Sequence, residues 1–483
     1  YCYIVGDWNE WTRKTEGAMY YDGSLGCWWI TLDGFDVDKE YRFQYRLGAS
    51  SGSDIYVSDP YTEIVYDEWN DQYIEGVPAF PAGAKQLVSA FQINRPAYDW
   101  QHKDFRIEDR NDLVIYELLF RDFTKSMDIA GAMEQLDYIS ELGVNAVQLM
   151  PVQEFDGNLS WGYNPNHWFA LDKAYGTREE YKAFIDECHA RGLAVIVDVV
   201  YNHATGSHPW TKMWWNGNAT AENNPFFNVA PAHPYNVYHD MNHESEFVRG
   251  FVKRNLIYLL DEYNIDGFRF DLMALHDIDT MNEIRTALTE IDPTIITYGE
   301  GWDAGGSALK PTEAALKVYA SQMPGVAMFS DDIRDGVKGS VFNAEEPGFV
   351  NGQFTFDERV KFGIVGATNH SQIDYNRVAL AGGASGAWAT EAAQSINYVS
   401  AHDNNTLYDK LMATLPDADE ETIKLMQKQA NAIVLTAQGV PFLHAGVEMM
   451  RTKDGDHNSY NASDEVNQIN WNWKNENQDV YDY

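Results

Sequence analysis

A chain of 483 residues is too long for one typical domain and has ample material for a large buried core. The formal net charge of −38 disfavours nucleic acid and anionic membrane surfaces as partners, because like charges repel. No apolar run approaches about eighteen residues, so the sequence predicts no membrane span. The three cysteines are too few for a disulfide framework, although Cys2 and Cys27 could pair if their strands are neighbours.

The first part of the chain, residues 1–105, reads as short strands between turns. In YRFQYRL, residues 41–47, large apolar residues alternate with polar ones, which is the period of a half-buried strand. We therefore predict an N-terminal β-sandwich domain over residues 1–105. Its predicted strands are Tyr1–Val5, Trp28–Leu32, Tyr41–Leu47 and Ile55–Val57, and Gly76–Pro96 is predicted to be a connector.

Residues 106–483 alternate strand-like segments with amphipathic helices, one of which starts at a capping box of Thr177 and Glu180. Eight such strands predict an α/β domain of the (β/α)₈ type, a TIM barrel, with its active site at the C-terminal ends of the strands. A doubly wound sheet is the alternative, but no glycine-rich phosphate loop follows an early strand. The predicted strands are Leu113–Leu118, Ala146–Leu149, Ala194–Val199, Gly267–Asp271, Ile295–Gly299, Gly325–Phe329, Ile396–Ser400 and Pro441–His444.

Two irregularities interrupt the predicted barrel. Residues 203–243 separate the third strand from the next helix and are far more numerous than in an ordinary βα loop. We expect this loop-rich insertion to be a subdomain beside the catalytic face. At the other end, the chain stops soon after the eighth strand, so we expect the C-terminal end to be truncated.

The segment GFRFD, residues 267–271, carries the first candidate site. Because strand side chains alternate, Arg269 and Asp271 should point inward together at the end of the strand. A neighbouring guanidinium keeps an aspartate ionised, which a covalent nucleophile requires. A purely structural Arg–Asp pair would give the same pattern.

The next strand ends in YGEGW, which places Glu300 at its tip beside Trp302. An aromatic wall tends to raise the pKa of a carboxyl group, and this suits a general acid. Two further strands end in polar residues, namely Asp198, Asn202 and His203 in DVVYNH and His402 and Asp403 in SAHDN. We predict that these four strands are neighbours and bring the side chains together.

Two nearby carboxylates, one ionised and one protonated, are the machinery of glycoside cleavage. A separation of about 5–5.5 Å leads to retention of configuration through a glycosyl-enzyme intermediate. Metal-dependent hydrolysis is the chemical alternative, because His and Asp also bind zinc. No HxH or HExxH cluster appears, however, and no metal ligands are predicted.

Four motifs of the chain, DVVYNH, GFRFDLM, YGEGW and YVSAHDN, resemble in sequence and order the short motifs of the α-amylase superfamily, glycoside hydrolase family 13. The resemblance covers about residues 110–472. It implies that Asp271 is the nucleophile, Glu300 the general acid/base and Asp403 the third carboxylate, which stabilises the transition state. The implied substrate-binding residues are Tyr163, which stacks under the sugar, His203 and His402, which hold its hydroxyls, Arg269, which orients the nucleophile, and Trp302.

Within that family, stretches such as YELLFRDFT, IRDGVKGSVF and GVPFLHAGVEMMRTK resemble type I pullulanases, which cut α-1,6 branch points. The resemblance implies retaining hydrolysis of starch-type glucans (pullulan, amylopectin, glycogen). The segment SWGYNPNHWFALDKAYGT looks more like α-1,4-acting relatives, so an α-amylase or neopullulanase is the alternative. A branching transglycosylase would use the same triad. A non-catalytic glucan-binding protein would have no need of the three intact carboxylates.

The N-terminal GDWNEW and SDPYT resemble the glycogen-binding-type β-sandwich that precedes such barrels. Trp8, Trp11 and Trp28 of this region either contact glucan or pack in the core. The chemistry requires no cofactor, and calcium is compatible because the residue equivalent to Asn202 is a ligand in many relatives. Hydrogen bonding within its loop is the other role for Asn202. The expected partner is an α-glucan, and by analogy with the family an exported or cell-surface bacterial location is favoured.

Overall fold

The computed structural model describes residues 1–48, 52–231, 233–235, 237–303, 309–378 and 386–483. The chain forms two compact units. The first comprises Tyr1–Trp100, Val152–Glu179 and His203–Leu259, and the second comprises Gln101–Pro151, Glu180–Asn202 and Leu260–Tyr483. Among the described residues, no helix combines the length and apolarity that a membrane crossing requires.

The strands of the described residues are, in chain order, β1 Cys2–Gly6, β2 Tyr20–Asp22, β3 Cys27–Trp29, β4 Tyr41–Gly48, β5 Asp54–Val57, β6 Val65–Asp67, β7 Leu87–Phe91, β8 Ile115–Leu118, β9 Ala146–Leu149, β10 Gln153–Phe155, β11 Pro165–Leu171, β12 Ala194–Val199, β13 His203–Ala204, β14 His239–Asp240, β15 Gly267–Phe270, β16 Ile296–Gly299, β17 Ala327–Ser330, β18 Ser395–Asn397 and β19 Val440–His444.

The α-helices are α1 Phe120–Phe123, α2 Ile129–Met133, α3 Leu136–Glu141, α4 Arg178–Ala190, α5 Pro209–Met213, α6 Glu246–Tyr263, α7 Ile278–Ile291, α8 Asp331–Lys338, α9 Asp357–Ile364, α10 Leu407–Thr414, α11 Glu420–Thr436, α12 Asp464–Asn467, α13 Asn472–Glu476 and α14 Gln478–Asp482.

In the first unit, an antiparallel sheet has the strand order β1-β4-β7-β6, and β5 also pairs with β4. The strands β2 and β3 form a separate hairpin, and β10-β11 and β13-β14 form two further antiparallel pairs. Trp11 is buried with Val5 and Val88 in the core of this sheet. Trp11 is therefore a packing residue, whereas Trp28 on β3 is 42% exposed.

In the second unit, eight parallel strands close a barrel in the order β12-β15-β16-β17-β18-β19-β8-β9, and β9 pairs back with β12. Closure is the reason that strands far apart in sequence become neighbours. The strand β19, for example, pairs with β8 so that His444 lies opposite Glu117. The barrel leaves no open sheet edge, and the ends of all eight strands meet at one rim.

The inward-facing side chains of the barrel change character along each strand. On β12, Ala194 and Ile196 belong to the apolar cluster that fills the barrel. The next residue of the same alternation is Asp198, which is fully buried. The same step leads to Glu117 on β8 and to Glu300 after β16. The barrel is thus packed with apolar side chains below and presents charged ones at its C-terminal rim.

The predicted α/β architecture is confirmed, because the eight predicted barrel strands are those that close the barrel and a strand-rich region precedes them. The helix expected after Thr177 begins at Arg178. The prediction of a connector over Gly76–Pro96 was wrong, since this segment contains β7, whose Val88 is fully buried in the sheet. The three cysteines are free, and Cys2 lies near Met19 rather than in a disulfide.

The prediction that four neighbouring strands carry the site also needs correction. The strands β12, β15 and β16 are consecutive, but β17 lies between β16 and β18, the strand that precedes His402 and Asp403. The domain boundary at residue 105 stays a prediction. The α-helices of the described residues after β19 are the short helices α12, α13 and α14.

Candidate active site

Arg269 is the centre of a buried charge cluster at the rim of the barrel. Its Nη1 lies 2.9 Å from Oδ1 of Asp198 and 3.1 Å from Oδ1 of Asp271, and its Nη2 lies 2.7 Å from Oε1 of Glu300. The Arg269 side chain is 2% exposed. A planar guanidinium can hold several carboxylates in fixed directions, which a lysine could not do in this way. One cation thus draws together carboxylates from three consecutive strands.

Asp271 is fixed by two side chains besides the barrel backbone. It directly follows β15, and its backbone N–H donates to the carbonyl of Val199 on β12. Arg269 donates to Oδ1, while the amide nitrogen of Asn202 donates to Oδ2 at 2.8 Å. Both carboxylate oxygens therefore have a donor, and the side chain is 12% exposed. Hydrogen bonds of this kind fix the orientation of the carboxylate.

Glu300 is held from the other side by the residue after Asp271. The backbone N–H of Leu272 donates to Oε2 of Glu300 at 2.8 Å. Leu272 has φ 41°, a left-handed conformation that is uncommon for a leucine and that marks local strain. The turn that follows Asp271 therefore aims a backbone donor at the second carboxylate, while the Arg269 guanidinium binds its other oxygen.

The surroundings of Glu300 raise its pKa above the ordinary value of 4.5. Burial is the largest cause, and the negative charges of Asp271 and Asp403 act in the same direction. The Arg269 guanidinium and the Leu272 N–H lower the pKa but do not cancel the rise. Glu300 therefore holds a proton to higher pH than an exposed glutamate does.

His402 is a buried cation at the same rim. Its Nδ1 lies 2.7 Å from Oε1 of Glu117, and its backbone N–H donates to Oε2 of the same residue at 2.9 Å. Burial lowers the pKa of His402, but the charges of Glu117 and Asp403 outweigh it and raise the pKa to about 9. His402 Nε2 lies 3.6 Å from Oδ2 of Asp403, whose side chain is 59% exposed.

Glu117 and the residues that support it were not predicted from the sequence. The amide of Gln148 on β9 donates to Oε1 of Glu117 at 3.2 Å, and the Tyr298 hydroxyl donates to Oε1 of Gln148 at 2.5 Å. These residues lie on three different strands of the barrel. The position of Glu117 at an inward-facing strand end was a usable signal, but its partner lies 285 residues away. Asp198 was noted as a strand-end residue without its contact to Arg269.

Trp302 packs against the wall of the second unit. Its ring lies 6.3 Å from that of Phe329 and below the guanidinium of Arg334, which is 5.7 Å from the ring centre. The side chain is partly buried and packs against the barrel core. Burial is the largest cause of the raised Glu300 pKa, and a contribution of Trp302 to that burial stays a prediction.

Tyr163 and His203 belong to the first unit, where they contact each other. Nε2 of His203 lies 2.8 Å from the backbone carbonyl oxygen of Tyr163. The ring of Tyr238 stacks on that of His203 at 5.6 Å. His203 is 3% exposed and so has a fixed orientation. The substrate-binding roles expected for both residues stay predictions.

No group of three or more His, Cys, Asp or Glu side chains among the described residues is arranged to hold a metal ion. Asn202, the residue expected to bind calcium by resemblance, uses its amide nitrogen to donate to Asp271. Its oxygen is the atom that a calcium ion would require. Calcium therefore stays a prediction, and no step of the chemistry below depends on it.

The geometry brings two carboxylates to one guanidinium. Asp271 has a donor on each oxygen, and Glu300 has a raised pKa and retains its proton to higher pH than an exposed glutamate does. Such a pair can attack an electrophilic carbon with one member and transfer a proton with the other. The arrangement at the end of a barrel strand is where this fold places catalytic residues.

Known proteins resemble this chain in sequence. The model of the α-amylase catalytic domain matches residues 114–239. Pullulanase from Bacillus subtilis strain 168 is 36% identical over an alignment of 407 positions, which covers 74% of this chain and 53% of that protein. The chain thus spans about half the length of this curated relative.

Solved structures give the same result. The structure of apo pullulanase from Paenibacillus barengoltzii superposes with a TM-score of 0.84 at 31% identity, covering 100% of this chain and 75% of that one. The structure of that enzyme with maltohexaose and α-cyclodextrin also gives a TM-score of 0.84 at 31% identity, with 100% and 76% covered. The fold and the site define a glycoside hydrolase scaffold. The chain belongs to the α-amylase superfamily, glycoside hydrolase family 13, and pullulanases are among its relatives.

Proposed function

We propose that the chain hydrolyses α-1,6 branch points of starch-type glucans such as pullulan, amylopectin and glycogen, with retention of configuration. The observation that carries the proposal is the Arg269 guanidinium, which contacts both Asp271 and Glu300. The pullulanase relatives support the substrate class, because one of them was solved with maltohexaose. The substrate is a neutral polymer, which an acidic chain of this kind does not repel.

In the proposed reaction, Asp271 attacks the anomeric carbon while Glu300 donates its proton to the departing glycosidic oxygen. The bond to the leaving chain breaks as an ester forms between the sugar and Asp271. Glu300, now ionised, then takes a proton from water, and the water oxygen displaces Asp271 from the anomeric carbon. Two displacements at the same carbon restore the original configuration.

The other members of the rim have supporting roles in this proposal. Arg269 orients Asp271 and stabilises Glu300 after it has lost its proton. Asp403, which is exposed, binds sugar hydroxyls and stabilises the positive charge that develops at the ring. His402 and His203 bind hydroxyls of the same sugar, Tyr163 stacks beneath it, and Trp302 contributes a further apolar surface.

Product analysis with pullulan and with linear amylose tests the linkage. Maltotriose from pullulan with amylose left intact would establish α-1,6 cleavage. Panose from pullulan, or maltooligosaccharides from amylose, would assign α-1,4 cleavage with the same catalytic residues. The alternative is supported by the segment 160–177, SWGYNPNHWFALDKAYGT, which is similar to α-1,4-acting relatives. Longer glucans formed from a maltooligosaccharide donor would identify a transglycosylase.

A further inference from the structure

The position of the Asp403 carboxylate depends on its main chain rather than on its side chain. The side chain is 59% exposed, and no described residue donates a hydrogen bond to its carboxylate. Nε2 of His402, 3.6 Å from Oδ2, is its ion-pair partner. The next residue, Asn404, has φ 63°, a left-handed conformation that is uncommon outside glycine. The carboxylate therefore stays in place only if the main chain of residues 402–405 is held.

Two buried lysines hold the ends of the segment 402–405. Nζ of Lys453 donates to the carbonyl oxygen of His402 at 3.1 Å, and Nζ of Lys338 donates to that of Asn405 at 3.3 Å. The two acceptors lie on either side of Asp403 in the chain. Lys453 is 1% exposed and Lys338 is 2% exposed. Both ammonium groups are thus buried under the rim, where they act on the main chain and not on a ligand in solvent.

The two lysines come from different parts of the barrel. Lys338 is the last residue of α8. The backbone N–H of Lys453 donates to Oδ2 of Asp409 at 2.8 Å, and the hydroxyl of Thr452 donates to Oδ1 of the same carboxylate at 2.5 Å. Asp409 lies on α10, the helix that follows the segment 402–405. The segment is therefore fixed to α8 by one ammonium group and to the start of α10 by the other.

The burial of these two charges has a cost that a purely space-filling residue would avoid. Burial is the largest cause that lowers the pKa of Lys453 to about 8 and the pKa of Lys338 to about 7. A methionine would fill a similar volume without this cost. What the ammonium group adds is a charged hydrogen bond to a carbonyl oxygen, which is stronger than a neutral one.

We propose that Lys453 and Lys338 are positioning residues for Asp403, which hold the segment 402–405 so that the carboxylate stays at the rim beside His402. The catalytic role of Asp403 rests on the proposed function, whereas the placement of its carboxylate does not. Loss of either ammonium group lets the segment relax and moves the carboxylate away from the imidazole. Lys453 has the larger effect, because its acceptor belongs to the residue directly before Asp403.

Lys410 on α10 is a matched control. It is 1% exposed, and burial lowers its pKa to about 8. Its Nζ also donates to main-chain carbonyls, namely those of Ser340 at 2.8 Å and Asn343 at 2.6 Å. These acceptors belong to the loop after α8 and not to the segment 402–405. Lys410→Met therefore removes an equally buried ammonium group without releasing that segment.

The first test measures the placement of Asp403 without any substrate. The charge of Asp403 raises the His402 pKa, so Asp403→Asn should lower it. NMR titration of the His402 ring gives the size of this drop in the unmodified chain and in each lysine variant. The direct effect of the lost positive charge on His402 is the same with and without the Asp403 carboxylate, so it cancels in the comparison.

The drop should shrink by about half or more in Lys453→Met, because a Coulomb interaction halves when the distance doubles. It should shrink by a smaller fraction in Lys338→Met and stay unchanged in Lys410→Met. Lys453→Arg keeps a charged donor and should retain most of the drop. Thermal unfolding checks that each variant is folded.

Hydrolysis of pullulan gives a second readout that a merely structural lysine would not move. Lys453→Met should lower kcat/KM about tenfold or more in the unmodified chain, the loss expected for one charged hydrogen bond. In the Asp403→Asn background it should lower kcat/KM by less than about twofold, because the carboxylate that it positions is already absent. An equal loss in both backgrounds would mean that Lys453 acts on stability and not through Asp403.

An unchanged drop of the His402 pKa in Lys453→Met or in Lys338→Met would overturn the role of that lysine, and an equal decrease in Lys410→Met would overturn the proposal as a whole. If the unmodified chain cuts no glucan while the drop still shrinks in Lys453→Met, the proposed function fails and the positioning role stands. If pullulan is cut and the drop is unchanged in both variants, the positioning proposal alone fails.

Discussion

Glu117 accepts two hydrogen bonds from His402, one from the imidazole at 2.7 Å and one from the backbone N–H at 2.9 Å. The two residues belong to the first barrel strand and to the turn after the seventh. The carboxylate therefore fixes both the ring and the main chain that leads into Asp403. It also keeps the imidazole charged, because it raises the His402 pKa against the effect of burial.

Replacing Glu117 with Gln should lower the His402 pKa from about 9, because the amide has no negative charge to stabilise an imidazolium. Hydrogen bonds to charged groups contribute about 1.5–3 kcal/mol, so kcat/KM on pullulan should fall by about tenfold to a hundredfold. An NMR titration of the His402 ring measures the first effect directly. An unchanged His402 pKa would contradict the role assigned to Glu117.

Asp266→Asn is the matched control for that change. Asp266 lies 2.8 Å from Nε2 of His189, so this variant also removes a carboxylate that pairs with a buried histidine. Asp266 precedes β15 at the N-terminal end of the strand, opposite the rim that carries Asp271. It should alter stability without altering the pH dependence of kcat/KM.

The Glu117–His402 pair should make the stability of the protein depend on pH. Folding raises the His402 pKa from 6.5 to about 9, so the native state binds the proton more tightly than the unfolded state does. The resulting stabilisation, about 3 kcal/mol, is fully present below pH 6.5 and is lost as the pH rises through 9. Urea unfolding measures the free energy of unfolding at pH 6 and at pH 9.5. The decline between these two pH values should be smaller in Glu117→Gln than in the parent. Equal declines would count against the linkage.

Asp271→Ala should reduce turnover by about 10⁴-fold or more, because no carboxylate remains to form the glycosyl ester. Added azide should restore part of the activity with an activated glycoside, since the anion fits the space left by the side chain and attacks the same carbon. The product is then a glycosyl azide of inverted configuration. Asp271→Asn should bind glucan like the parent. Retained turnover in either variant would refute the nucleophile assignment.

The barrel and its rim could be predicted from the sequence because both follow from local patterns. The alternation of GFRFD places Arg269 and Asp271 on one face, and the structure has a 3.1 Å hydrogen bond between them. The contact of Arg269 with Asp198 depends on the pairing of β12 with β15, which strand order supports but does not specify. The Glu117–His402 pair requires closure of the barrel, which no local pattern contains.

The N-terminal region was harder to predict for a related reason. The strand β7 lies in a stretch with many Pro and Gly residues, and it is a strand because its Val88 packs into a sheet formed by distant segments. Tertiary burial here overrides local propensity. Local sequence also fails to distinguish Trp11 from Trp28. The two tryptophans look equivalent in the sequence, although only Trp11 is buried.

The pH dependence of hydrolysis should be bell-shaped, with its alkaline limb set by Glu300, because the proton donor must remain protonated. The midpoint of that limb should lie at a pH above 4.5, the ordinary pKa of a glutamate. Since the charge of Asp403 contributes to the raised pKa, Asp403→Asn should move the alkaline limb of kcat/KM to lower pH. Asp137→Asn, which alters a carboxylate 77% exposed on the surface, should leave the limb in place. A limb that moves to higher pH in Asp403→Asn would refute this coupling.

Arg269→Met should destabilise the fold most at neutral and alkaline pH. The change leaves Asp198, Asp271 and Glu300 buried without their shared cation, and breaking a buried ion pair costs about 3–5 kcal/mol. Arg269 opposes the rise that burial causes in the Glu300 pKa, so without the guanidinium that pKa rises further and the native state gains stability relative to the parent as the pH falls. The stability deficit relative to the parent should therefore be smaller at pH 5 than at pH 8.

Urea unfolding followed by circular dichroism at the two pH values measures that difference. Arg191→Met is the control, because Arg191 pairs with Asp137 and Glu187 at the surface, where such pairs contribute about 0–1 kcal/mol. Arg191→Met should cause a small loss of stability that is the same at pH 5 and at pH 8. If Arg269→Met behaves like this control, the guanidinium does not offset the cost of burying these carboxylates, and the role proposed for Arg269 beside Asp271 and Glu300 is refuted.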